Sequence, residues 1–133
     1  MKSKGERFER ELVHMLWSKG FAAVRTPASG SISYPVPDII AGNGRRYLAM
    51  EVKMRSSLPI YIPKKDVEDL IKFSKRFGAE PYIAVKVKGE GWRFLSVDRL
   101  IKTNRGFKID ETNFYSASDF DELVGLKQLK LFN

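Results

Sequence analysis

Two stretches of this sequence carry apolar side chains at helical spacing, and the other apolar runs are of strand length. That alternation decides what the chain can fold into. From Lys4 to Lys19, Phe8, Leu12, Val13, Met15 and Leu16 share one broad arc of a helical wheel, and Gly20 follows as a stop. From Lys64 to Phe77, Val67, Leu70, Ile71, Phe73 and Phe77 do the same, with Lys65, Lys72, Lys75 and Arg76 opposite. Phe21–Arg25, Asp38–Ala41, Arg46–Met54, Pro81–Lys88 and Trp92–Val97 read as strands. Asn43-Gly44 is a hairpin turn and makes the second and third strands antiparallel, and Gly89-Glu90-Gly91 joins a second hairpin. Thr26 to Pro37 is a polar loop. The order of helix, three strands, helix and two strands predicts an α/β fold, a mixed sheet of about five strands flanked by helices. A helical turn over Asp98–Lys102 and a last helix over Ser118–Leu129, capped by Ser118, are expected; residues 103–117 give almost no pattern.

The 133 residues make one domain, with its core at about 3–97 and a less patterned part at 98–133. There is no cysteine, which excludes disulfides, thiolate metal sites and cysteine nucleophiles. No apolar run is long enough to span a membrane, and a soluble cytoplasmic protein is expected. The net charge of +8 is uneven. Residues 1–109 hold 22 basic and 11 acidic side chains, whereas residues 110–133 hold 2 and 5. A basic body with an acidic tail points to a polyanion, nucleic acid first.

Three acids stand in apolar surroundings. Glu9 falls inside the apolar arc of the first helix, Asp38 opens an apolar strand, and Glu51 interrupts the run Tyr47–Lys53. A carboxylate on a buried face is costly unless it is paired or bound to a metal. Any one of them taken alone is more simply an ion pair, a cap or a solvated charge. Together they form a pattern. Glu51 and Lys53 are two apart on a strand and share a face, while Val52 points the other way. Asp38 lies near the start of the partner strand, so Asp38, Glu51 and Lys53 can converge. Such a hard-oxygen site suits one or two Mg²⁺ ions, with Mn²⁺ a possible substitute and the Val52 carbonyl a further ligand. The lone His14 falls on the polar side of its helix, and Gly42-Asn43-Gly44 does not match a phosphate-cradling loop. Metal-assisted hydrolysis of a phosphodiester is the chemistry that remains.

Pro37-Asp38 followed by Glu51-Val52-Lys53 resembles the PD-(D/E)xK nuclease signature. Lys4-Gly5, Glu9-Arg10-Glu11-Leu12, Gly20-Phe21, Val24-Arg25, Phe73-Ser74, Phe77, Ala84-Val85-Lys86 and Trp92-Arg93-Phe94 extend the likeness, in order and spacing, to the archaeal Holliday junction resolvases. The resemblance runs from about residue 3 to about residue 97. It implies a restriction-endonuclease-like fold and a homodimer that binds a four-way DNA junction and nicks two strands symmetrically. It implies metal-site roles for Glu9, Asp38 and Glu51, a catalytic role for Lys53, and DNA contact and catalysis for Arg25. Ser29 lies in the loop where some members carry a catalytic serine, and Arg10 matches a basic position near the site. The Thr26–Pro37 loop is longer than in some relatives, which leaves the roles of Ser29, Ser31 and Ser33 open.

Lys2, Lys4, Arg7, Arg10, Arg25, Arg45, Arg46, Arg55, Lys64 and Lys65 are candidates for contacts to DNA phosphates. Phe73 and Phe77 are candidates for the dimer interface, with ordinary core packing as the alternative. Gln128–Phe132 loosely resembles a sliding-clamp-binding peptide but lacks its paired aromatics. Two rival readings remain. One is a nuclease of the same type acting on flaps, mismatches or plain duplex; the other is a non-catalytic binder of DNA shape.

Overall fold

The computed structural model describes residues 4–27 and 33–125. Helix α1 (Lys4–Ser18) leads into strands β1 (Ala22–Arg25), β2 (Ile39–Gly42) and β3 (Tyr47–Arg55). Strand β4 (Ile60–Pro63), helix α2 (Lys64–Phe77), and strands β5 (Glu80–Val87) and β6 (Arg93–Ser96) follow. A 3₁₀ turn at Val97–Arg99 precedes β7 (Ile101–Lys102), β8 (Gly106–Ile109), α3 (Glu111–Phe114) and α4 (Phe120–Leu123). Among the described residues no helix is long and apolar enough to cross a membrane.

The central sheet has five strands in the order β1-β2-β3-β5-β6. The β2–β3 hairpin is antiparallel as expected, and β3 and β5 are parallel, joined by a crossover through α2. The sheet is therefore mixed and has a helix layer on each face. On one face α1 covers a core of Leu12, Leu16, Phe21, Ile39, Leu48, Met50 and Phe94. On the other, α2 covers Ala49, Ile62, Val67, Leu70, Ile83, Val85 and Phe114.

Helix α2 keeps the expected limits. Asp66 stands in its first turn and Lys75 and Arg76 in its last, which suits the helix dipole. Gly78 ends it in the left-handed conformation, φ 85°, with its N–H on the Ser74 carbonyl.

The tail departs from expectation. A second sheet, β4-β8-β7, is built from runs too short to show periodicity. Asp98–Lys102 divides between the 3₁₀ turn and β7. Ser118 does not cap a helix. Its carbonyl accepts from the Phe94 N–H at 2.8 Å, which ties it to the edge strand β6. The cap passes to Asp119, which forms a capping box with Glu122. Helix α4 within the described residues is Phe120–Leu123, and Gln128–Phe132 lies outside them.

Candidate active site

Side chains alternate along β3. Leu48, Met50 and Val52 pack with the α1 core and Ala49 with the α2 core, so Glu51 and Lys53 project on the α2 side. Ile39 and Ala41 also pack on the α1 side, which puts Asp38, one residue before β2, on the side of Glu51. The register pairs Ile39 with Met50, and the next step brings Asp38 opposite Glu51. The Val52 N–H donates to Asp38 Oδ2 at 2.8 Å. Because the N–H and C=O of an extended residue leave on one side, the Val52 carbonyl also faces past the end of β2. The Thr26 N–H on the Asp38 carbonyl (2.9 Å) and the Thr26 hydroxyl on the Pro37 carbonyl (2.6 Å) anchor the loop end that carries Asp38.

Burial first and the charge of Asp38 second push the Glu51 carboxyl from 4.5 up to about 8, with the Lys53 ammonium opposing. Asp38 is within hydrogen-bond reach of Glu51. The Lys53 ammonium lies 3.0 Å from Asp66 Oδ2 in the first turn of α2. Glu51 and Asp66 line a polar cleft of about 420 Å³ with Ser33, Pro37, Lys65, Asp69 and Lys72.

Glu9 is placed differently. It accepts from Arg25 Nε at 3.1 Å. Burial raises its carboxyl above the usual value; the Arg25 hydrogen bond opposes this and the Asp38 charge adds to it. Glu9 is thus in electrostatic contact with Asp38 but is paired with Arg25. Among the described residues, no three His, Cys, Asp or Glu side chains form a ready cation cage. A magnesium ion does not need one: one or two carboxylates, retained waters and substrate phosphate satisfy it. Two adjacent carboxylates, one holding its proton to near-neutral pH, fit such an ion, with Asp38, Glu51 and the Val52 carbonyl as its donors.

The basic candidates scatter. Lys64 and Lys65 stand at the start of α2 in exposed pairs with Glu68 and Asp69. Arg7 and Arg55 line a concavity of about 400 Å³ with Phe8, Met54, Lys86 and Lys88. Lys86 and Lys88 are cations that sequence reasoning did not single out for this purpose. Arg10 is half-buried beside Glu9 on α1. Arg45 and Arg46 lie at the opposite end of the sheet. There Arg46 grips Glu80 through two nitrogens, at 2.9 and 3.0 Å, and donates to the Leu123 carbonyl, which is a structural role. His14 is exposed, as expected. Lys2, Ser29, Ser31 and the side chain of Lys4 lie outside the described residues.

Phe73 is half-buried against the α2 core and stacks on Phe77 at 5.3 Å, and Phe77 is 50% exposed. Phe77 borders two shallow apolar concavities, one with Tyr34, Pro35 and Val36, the other with Val24, Ile40 and Tyr47.

The family model for archaeal Holliday junction resolvases (Hjc) matches residues 1–131. A crossover junction endodeoxyribonuclease Hjc of Archaeoglobus fulgidus is 50% identical over 125 residues, covering 94% of this chain and 92% of the relative. The Hjc of Methanocaldococcus jannaschii is 40% identical over 129 residues, covering 96% of this chain and 92% of the relative. The solved structure of Archaeoglobus fulgidus Hjc, described as a Holliday junction resolvase from an archaeal hyperthermophile, superimposes with a TM-score of 0.87 at 48% identity. It covers 91% of this chain and 100% of that one.

Proposed function

The chain belongs to the archaeal Holliday junction resolvase family, and from that premise we propose that it resolves four-way DNA junctions by metal-dependent phosphodiester hydrolysis at Asp38, Glu51 and Lys53. The observation that carries the reading is the half-buried Asp38–Glu51 pair, with Lys53 on the same face and Glu51 lining a polar cleft.

The family is one of metal-dependent nucleases, and Mg²⁺ is the ion these oxygens suit, one or two per site, with Mn²⁺ a substitute. When bound, the ion acidifies an attacking water and offsets charge on the phosphate. Asp38 and Glu51 would hold it, together with the Val52 carbonyl. Lys53 lies on the Glu51 face and neutralises the phosphate oxygens as charge builds on them. Arg25 neutralises Glu9 and so limits the negative charge facing incoming DNA. Water adds to phosphorus and the P–O3′ bond breaks, leaving a 5′-phosphate and a 3′-hydroxyl. Arg7, Arg55, Lys64 and Lys65 bind backbone phosphates without reading bases, which suits selection by shape.

A four-way junction asks for two cuts, and a homodimer supplies two sites related by a two-fold axis. The exposed apolar set of Val24, Tyr34, Tyr47 and Phe77 supports a second copy as its cover.

The test is cleavage of an immobile four-way junction, with linear duplex and flap controls of matched sequence, with and without Mg²⁺. Paired, symmetric, Mg²⁺-dependent nicks confined to the junction are expected, and Asp38→Asn should abolish them while leaving junction binding in place. Equal cutting of duplex or flaps would move the substrate elsewhere, and tight binding without cleavage in any metal would end the enzymatic reading.

A further inference from the structure

Lys53 is held by an acid that belongs to neither the hairpin nor the sequence motif. Its ammonium lies 3.0 Å from Asp66 Oδ2, a contact across 13 residues that joins β3 to the first turn of α2. The helix offers two other ion pairs for comparison. Lys64–Glu68 and Lys65–Asp69 are both i,i+4 pairs, with their lysines 71% and 80% exposed, and such pairs contribute little. Lys53 and Asp66 are only 15% and 33% exposed. Asp66 also does not serve the helix as a cap. The N-cap position is Pro63 and no side chain bonds there, so the carboxylate is directed at Lys53.

The consequence lies two residues back. Glu51 is on the same face as Lys53, feels its charge, and lines the same cleft as Asp66. An untethered ammonium on a flexible four-carbon stem would pair with the Asp38–Glu51 carboxylates and compete there with a divalent cation. We propose that Asp66 is a positioning residue for Lys53: it draws the ammonium off the Asp38–Glu51 pair, keeping that pair open to a divalent cation and the lysine against Asp66, which lines the cleft where phosphate will lie. This rests on the hydrolytic reading given above. It adds a residue on a separate element, α2, to the machinery of the hairpin.

The experiment compares wild type, Asp66→Asn, Lys53→Met and the double variant, with Mn²⁺ binding to the DNA-free protein measured by calorimetry. Asp66→Asn should weaken Mn²⁺ binding about tenfold when Lys53 is present, and less than about twofold in the Lys53→Met background. Equal loss in both backgrounds would mean that Asp66 acts only as a nearby negative charge, and would overturn the proposal. Single-turnover junction cleavage supplies the second reading. Asp66→Asn should slow cleavage about 10- to 100-fold at unchanged junction affinity, and Asp66→Glu should restore most of the rate. Wild-type cleavage by Asp66→Asn, or a loss confined to junction affinity, would overturn the proposal. A wild-type protein that does not cut junctions would instead remove the functional reading, and the same assay reports it.

Discussion

Two half-buried carboxylates within hydrogen-bond reach resist carrying two full charges, and burial together with the charge of Asp38 holds the Glu51 carboxyl up at about 8. A divalent cation competes with the proton that Glu51 retains. At low Mg²⁺ the cleavage rate should therefore rise with pH up to about 8, and more Mg²⁺ should move that rise to lower pH, which a pH–rate series at several Mg²⁺ concentrations measures. The same shift bears on stability. The Glu51 carboxyl is raised from 4.5 to about 8, so the folded protein holds a proton that the unfolded chain has lost. Its contribution is fully present below the unfolded value and disappears as pH rises through the folded one. The Tm of the metal-free protein should fall between those limits, and Glu51→Gln should flatten the profile. The convergence of Asp38, Glu51 and Lys53 was legible because a strand period and a hairpin register are local rules. Glu9 was legible as an acid on an apolar arc, but its Arg25 partner depends on how α1 meets β1, which no local rule gives. Asp66 was not legible at all: an aspartate in a first turn looks like ordinary dipole compensation until a lysine from another element is found against it.

Helix α2 was readable to its ends because fourteen residues give four turns of periodicity and Gly78 marks the stop. The second sheet was not, since β4, β7 and β8 are four, two and four residues long. The Ser118 expectation failed for a related reason: a tertiary bridge to Phe94 outcompeted a local cap. The small sheet is nevertheless tightly specified at Gly106, where an added Cβ would lie 2.4 Å from the Ile62 carbonyl oxygen and 2.8 Å from the Lys64 amide nitrogen. Neither backbone atom can yield without moving the β4–α2 junction. Gly106→Ala should cost about 2–3 kcal/mol, read by denaturant unfolding, a large loss for a glycine outside the central sheet. Because β4 runs directly into α2, part of that strain should reach Asp66 and lower the cleavage rate of the fraction that remains folded.

At the scale of the whole molecule, the exposed apolar set around Phe77 is what a monomer has reason to avoid and a symmetric pair can bury. Phe77→Asp alters a half-exposed side chain, so the fold should survive, and sedimentation equilibrium should report half the mass of the proposed wild-type dimer. A variant that sedimented as wild type would move the interface elsewhere. Helix α2 carries Phe77 at one end and the tether on Lys53 at the other, about 16 Å apart at 1.5 Å per residue. On the proposed reading, a stiff rod with the Phe77 dimer contact at one end and the hydrolytic site near the other behaves as a caliper. The gap between the two incisions would then be set by protein dimensions, and the distance of each nick from the branch should stay the same when the bases around the crossover are changed.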